Sequence, residues 1–236
     1  MRKWSVLFFC SFLLVRSISA QQVLYSDDFS SSLEKWTVES ASEETVINLN
    51  DGVLDVVAPA GITIWFNQKL EGNVRIAFEA FVVDEGGEWD RVSDLNCFWM
   101  ANDPKNPDDF FSRSAWRGGT FGKYYSLSLY YAGYGGNTNS TTRFRKYDGD
   151  FEAFTGKQQR PEILKEYTDE QHLIKPNQWY RIEIEVKGKH IRYSVNNEVL
   201  FDYKDQEPYK SGYFGLRTVK NHIRYRNFQV FDLPEN

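Results

Sequence analysis

The sequence predicts an all-β fold, an antiparallel sandwich of two sheets, and three observations carry that expectation. Apolar residues recur at every second position through most of the chain, glycine and proline punctuate short runs, and no long segment has helical periodicity. Asn50-Asp51-Gly52 marks a first tight turn, since these residue types accept the positive φ that such turns demand. Val74, Ile76, Phe78, Ala80 and Val82 then share one side of a strand, against Arg75, Glu79 and Phe81. Around Cys97, Leu95 and Trp99 take the buried parity, which turns Asp94, Asn96 and Phe98 outward. In 124–131, Leu127 and Leu129 are expected in the core, leaving Tyr124, Ser126, Ser128 and Tyr130 on the open face. In 141–147, Arg143, Arg145 and Tyr147 share one side, opposite Thr142, Phe144 and Lys146. Residues 161–171 are the one short helical candidate. Tyr180, Ile182, Ile184 and Val186 alternate with Arg181, Glu183 and Glu185; Ile191, Tyr193 and Val195 alternate with His190, Arg192 and Ser194. Lys187-Gly188-Lys189 and Asn196-Asn197 supply the turns after these two strands.

Residues 1–20 read as an export leader: a basic start at Arg2 and Lys3, an apolar run, then Ser17, Ser19 and Ala20. The run is too short to span a bilayer. The expected organisation is therefore a leader over 1–20 and one domain over 21–236, exported to the periplasm or beyond. Removing the leader takes away Arg2, Lys3 and Arg16 and no acid, so 25 basic side chains face 33 acidic ones, a net charge of −8. That balance speaks against nucleic acid or an anionic membrane as partner, because both reward a basic face. Cys97 is the one cysteine left. No internal disulfide can form, so stability must come from a core; the bland reading of Cys97 is a buried structural thiol.

The polar residues of 88–147 exceed what folding requires. Arg91, Arg113, Arg117, Lys123, Arg143 and Arg145 lie among Trp89, Trp99, Trp116, Tyr124, Tyr125, Tyr130, Tyr131 and Tyr134. Cations interleaved with rings on an acidic chain suggest a site for a ring-shaped anion, and an acidic sugar fits best. Two arginines and a tyrosine on one side of 143–147 suit a carboxylate or sulfate, whose oxygens match a guanidinium fork. The competing reading is a solvated edge strand. Arg113-Ser-Ala-Trp116-Arg117-Gly-Gly-Thr120-Phe-Gly-Lys123 is too basic and glycine-rich for core, and reads as a loop placing Trp116 on a sugar face. The three histidines have no metal-ligand spacing, and no Cys-His cluster exists, so neither metal nor cofactor is expected. Glu88, Asp90 and Asp94 share strand parity and offer the carboxylates a hydrolase would need.

The segments QWYRIEIEVKGKHIRYSVNNEVLFDYKD and SGYFGLRTVKNHIRYRNFQVF resemble the closing strands of concanavalin-like jelly rolls, and DDFSSSLEKWTVE resembles their opening strand. The resemblance implies a lectin/glucanase-type sandwich whose inner sheet offers a concave groove. Tyr131-Ala-Gly-Tyr134-Gly-Gly is loosely similar to the Tyr-x-x-Ala-Gly-x-Tyr strand of jelly-roll alginate lyases. In those enzymes tyrosine transfers protons while arginine, histidine and an amide neutralise the uronate. Glu88 to Asp94 departs from the Glu-x-Asp-x-x-Glu and Glu-x-Asp-x-Glu strands of jelly-roll glucanases. With DRVSDLNCFWMANDP, most of the chain resembles a family of exported jelly-roll proteins from polysaccharide-degrading bacteria. That resemblance implies an oligosaccharide dehydratase acting on the non-reducing-end uronate in ulvan breakdown.

The expected chemistry is β-elimination from a uronate, as a carbon–oxygen lyase acting on an acidic oligosaccharide. It requires neutralisation of the carboxylate, a base for the C5 proton and an acid for the oxygen leaving C4. Lys123, Tyr134 and His222 are assigned to proton transfer. Arg91, Asn96, Arg113, Arg117, Arg143, Arg145 and Arg217 are assigned to the substrate's acid groups, with Trp116 and Tyr124 stacking on its ring. The alternatives are a polysaccharide lyase, a glycoside hydrolase and a non-catalytic carbohydrate-binding module.

Overall fold

The computed structural model describes residues 21–152 and 160–235; the expected leader over 1–20 lies outside them. The strands are β1 (Val23–Asp27), β2 (Trp36–Ser40), β3 (Val46–Asn50), β4 (Val53–Phe66), β5 (Leu70–Glu71), β6 (Val74–Val82) and β7 (Leu95–Asn102). After an insertion come β8 (Ser128–Gly135), β9 (Thr141–Asp148), β10 (Ile163–Tyr167), β11 (Trp179–Lys187), β12 (His190–Val195), β13 (Glu198–Lys204) and β14 (Ser211–Asp232). All named pairings are antiparallel, in the order β10-β9-β8-β7-β14-β6-β11-β12-β13. Two long strands divide this ladder into layers. β14 pairs with β7 over 213–217 and with β6 over 223–232; β4 pairs with β2 through 62–66 and with β3 through 53–57. Register breaks near Lys220, which has a positive φ of 47°, so β14 bends there and passes from a front sheet (β10-β9-β8-β7-β14) to a back sheet (β14-β6-β11-β12-β13).

The turns form where the residue types demand them. Asp51 and Gly52 both take positive φ, as do Asn196 and Asn197, which gives the twist a two-residue hairpin needs. The alternating apolar residues of β6, β11 and β12 meet Leu54, Ile64, Leu95, Cys97 and Trp99 between the sheets. Cys97 is a free thiol there, and burial pushes its pKa up.

A second, smaller aromatic cluster lies on the opposite face of the front sheet. Trp65, Phe98, Leu129, Tyr131 and Tyr147 carry the parity opposite to Ile64, Trp99 and Tyr130. Phe110, Tyr124, Tyr125 and Leu127, from the 103–127 insertion, pack onto them. The insertion is a chain of short helical turns, including a four-residue α1 (Ser114–Arg117). Gly119 (φ 71°) lets it dock, because a Cβ there would overlap the carbonyl oxygen of Gly61.

Two expectations need correction. Residues 161–171 are not a helix: Ile163–Tyr167 is a strand on β9, because Leu164 and Tyr167 pack against the main core. The parity of 124–131 is also reversed. Residues 121–126 form a 3-10 helix, and β8 then sends Tyr130, Ala132 and Tyr134 into the main core and Leu129, Tyr131 and Gly133 onto the concave face. The error came from treating leucine as a marker of the inter-sheet core. Leu127 and Leu129 are buried, but in the cluster between the insertion and the sheet.

Candidate functional site

The register of four strands lays side chains in rows across the concave face. Arg217 pairs with Asn96, Asn96 with Gly133, and Gly133 with Arg143. In the next row Phe98 pairs with Tyr131 and Tyr131 with Arg145. Gly133 has no side chain because the Tyr131 ring lies over it; a Cβ would overlap the phenol oxygen. The floor is thus a phenol spread over a glycine, with guanidinium groups to either side. A cavity of ≈ 240 Å³ opens above it. Phe121 and Tyr125 wall it on the insertion side, Gly136, Asn137 and Thr141 at the end of β8, and Arg160 and Pro161 beside β9. The Asn137 end is left-handed backbone: Asn137, Thr138 and Asn139 have φ of 52°, 58° and 55°. Asn139 holds that turn by accepting from the Ile174 N–H at 2.9 Å and donating to its carbonyl at 2.8 Å.

Several polar groups around this cavity are buried, and three of their atoms have no partner among the described residues. Arg217 is 2% exposed, donates to Thr63 at 3.2 Å and to the Gly119 carbonyl at 2.7 Å, and its Nε has no partner. Arg145 is 8% exposed, donates to the Pro161 carbonyl, and burial lowers its pKa. Arg143 donates to Glu166 at 2.5 Å. The Tyr147 hydroxyl is fully buried without a partner. Burial, with Asp94 acting the same way, holds the Tyr131 phenol above its ordinary range, while Arg217 and Arg145 pull it down. Burial raises Tyr147 too, reinforced by Tyr131 and Tyr125 and opposed by the same two arginines. Both phenols therefore carry their protons at neutral pH.

Asp94 lines the same cavity from a left-handed position (φ 59°). Its carboxylate accepts from Arg91 at 2.5 Å, from the Ser93 hydroxyl at 2.6 Å and from the Asn96 side-chain nitrogen at 3.2 Å. Asn96 Oδ1 is buried with no partner.

Four of the twelve residues assigned from sequence line the cavity: Asn96, Arg143, Arg145 and Arg217. Arg91 stands behind it, bound to Asp94 and to the carbonyls of Val219 and Lys220. The other seven lie elsewhere. Tyr134 points between the sheets, 3% exposed, and its hydroxyl donates to the Leu173 carbonyl. His222 follows the bend of β14 and sits between Asp90 (2.9 Å) and Asp55 (3.2 Å). Lys123 donates to the Trp116 carbonyl at 2.5 Å. Trp116 is on the outside of the insertion, with Arg113 4.1 Å from its ring centre. Arg113 pairs with Asp103. Arg117 and Tyr124 are fully buried and both bind Glu39, at 2.7 Å each. These last five build the insertion and its seat.

Tyr131 and Asp94 were not assigned, although Gly133 signalled the first: a glycine inside a strand marks a close approach. The three carboxylates considered for hydrolysis are not aligned. Asp90 caps the Glu85 and Gly87 N–H groups and binds His222, Glu88 is exposed in the same turn, and of the three Asp94 alone lines the cavity. No group of His, Cys, Asp and Glu side chains suited to a metal occurs among the described residues.

The fold has solved counterparts. A protein of unknown function with a galectin-like fold from Bacillus subtilis superposes with a TM-score of 0.72 at 16% identity, over 92% of this chain and 99% of that one. The carbohydrate binding module CBM66 from Bacillus subtilis gives 0.54 at 13% identity, over 84% and 96%. A prokaryotic β-1,3-1,4-glucanase (lichenase) from a mouse hindgut metagenome gives 0.53 at 10%, over 88% and 98%. These likenesses establish a galectin- and concanavalin-like jelly roll. No curated protein matches the sequence. The pattern described as "Domain of unknown function (DUF6250)" matches residues 56–228, from β4 to β14 and across the whole cavity floor. The chain belongs to that family.

Proposed function

We propose that this chain is a β-eliminating enzyme acting on a uronic acid of an exported oligosaccharide pathway, with removal of water from a non-reducing-end uronate ahead of chain cleavage. The observation that carries this reading is the concave floor: a phenol lining the cavity, Tyr131, between Arg145, Arg217 and Arg143, in a space smaller than the ~300–1,000 Å³ of larger ligand sites. Such a space suits one ring at the end of a chain. Arg145 and Arg217 hold the carboxylate and stabilise the charge that grows on it as C5 loses its proton. Tyr131, which carries its proton, passes it to the oxygen leaving C4 while the phenol oxygen takes the proton from C5, with Tyr147 beneath it, ring centres 5.9 Å apart. The C5–H bond breaks, a C4=C5 double bond forms, and the C4–O bond breaks. The departing oxygen leaves with the proton, as water in a dehydration or as a sugar hydroxyl in a lyase reaction. This reading moves proton transfer from Lys123, Tyr134 and His222 to the residues the cavity contains. The carbohydrate-related neighbours support a carbohydrate as ligand, and the sequence resemblance supports a uronate from ulvan.

A second reading has one observation in its favour. Burial raises both phenols, so neither is a ready base, which suits a module that binds an acidic sugar and leaves it unchanged. Incubation with uronate oligomers from lyase and hydrolase digests separates the two. Ultraviolet absorbance of a conjugated double bond, with loss of one water and no shorter chain, is the expected result. Binding without product selects the module; new reducing ends without absorbance would sink the elimination.

A further inference from the structure

Asn96 sits at the centre of the floor row, between Arg217 and Gly133, and is 3% exposed. An amide beside arginines invites the reading that its NH₂ helps neutralise a carboxylate. The hydrogen bonds say otherwise. Its side-chain nitrogen faces Asp94 Oδ1 at 3.2 Å. An ionised carboxylate only accepts, so the NH₂ must be the end turned toward Asp94. Asp94 is itself pinned by Arg91 and Ser93, at 2.5 and 2.6 Å, and by its N–H, which donates to the Gly135 carbonyl at 3.0 Å. The amide therefore presents Oδ1, an acceptor, which is buried without a partner. An unpaired buried acceptor is costly, and a donor arriving there recovers that cost.

We propose that Asn96 is a specificity-determining residue that accepts a hydrogen bond from a hydroxyl of the bound ring, and that Asp94 is the positioning residue that fixes its orientation. The inference rests on the cavity as a uronate site and refines it. Carboxylate recognition belongs to the arginines, while the amide selects a ring whose hydroxyl next to the acid-binding end is free. An ether or ester at that hydroxyl removes the donor and adds bulk where the floor is closed.

The test compares methyl glucuronide with methyl glucoside, which differ only in the acid group, by calorimetry on the whole mature protein. Wild type should favour the glucuronide. Asn96→Ala should weaken both ligands by the same factor, roughly 2- to 10-fold for a neutral hydrogen bond, leaving the preference intact. Weakening of the glucuronide alone would overturn the proposal, since the amide would then be serving the carboxylate. Asp94→Ala frees the amide to turn, so the glucoside should weaken and the preference for the acid widen; unchanged binding of both removes Asp94 from the account. Should Asn96→Ala not fold, Asn96→Ser takes its place. A wild type indifferent to the acid group would instead sink the uronate reading, with the Asn96 effect still measured on the glucoside. The orientation is also checked without ligand. One Asn96 amide proton should be protected from exchange in NMR spectra of the free protein and exposed in Asp94→Ala; an equally exposed proton in wild type overturns the assignment.

Discussion

Two clusters of charge occupy the concave side of the front sheet, and they differ in how completely their polar groups are matched. On one side Glu39 and Arg117 are fully buried and bound to each other, with Tyr124, Asp103 and the Phe110 carbonyl taking the remaining valences. On the other side Arg217 Nε, Asn96 Oδ1 and the Tyr147 hydroxyl are equally buried and unmatched. Saturation marks a structural role: the first cluster clamps the insertion to β2. Where unmatched atoms border a cavity, as these do, they mark a place prepared for a ligand; the Tyr193 and Tyr225 hydroxyls are also unmatched but sit in the main core and do not line that cavity. Arginine next to aromatic residues therefore says little about function until its partners are counted.

The sharpest way to break this contrast is Tyr131→Phe. In the unmatched cluster it should lower the elimination rate by ~10²–10⁴-fold, the usual worth of a positioned proton carrier, with a nearly unchanged melting temperature. A variant that unfolds instead would move Tyr131 to the structural side. Arg117→Ala should do the reverse. Stranding Glu39 in the interior costs about 3–5 kcal/mol, seen as a large drop in melting temperature and denaturant midpoint, and a fully stable Arg117→Ala would void the distinction. Arg145→Gln should cut the rate by ~10²–10³-fold, comparable with losing one electrostatic donor, and lower the affinity for uronate more than for a neutral sugar.

pH separates the clusters less sharply. Burial raises the pKa of Tyr131, Tyr147, Tyr193 and Tyr225 in the folded chain, while the unfolded phenol titrates near ~10. The folded state then holds more protons than the unfolded one above that value. Stability is complete below it and falls as pH rises further, by about 1.4 kcal/mol per pH unit for each such phenol. Thermal melts between neutral and strongly alkaline pH should decline only in that upper window. A decline already present near neutrality would contradict the burial. The smallest effect is expected from Tyr147→Phe, which deletes an unmatched hydroxyl and should change stability by no more than ~1 kcal/mol, on the favourable side; chemical denaturation measures it.

Strand alternation was legible wherever one face met the inter-sheet core, as in β6, β11 and β12. It was also legible in 143–147, where Phe144 separates two arginines, so Arg143 and Arg145 were found. It failed in 124–131 because this sheet is buried on both faces there. Leucines packed with the insertion look like leucines between the sheets, and the reversed parity hid Tyr131, while Tyr134 was drawn from the resemblance to alginate lyases rather than from parity. The seat of Arg117 was invisible for another reason: its partner Glu39 lies 78 residues away, and nothing local signals that pairing. His222 illustrates the same limit, since Asp55 and Asp90 meet it only through the pairing of β4 with β14 and the turn before β7.

β14, 22 residues long, supplies a strand to each layer. Without it, β7 and β6 each expose an open edge, β4 lacks its long partner, and neither layer can seal against the other. Both layers therefore close around one crossing strand. A chain truncated before Ser211 would lose the two sheets at once rather than one of them.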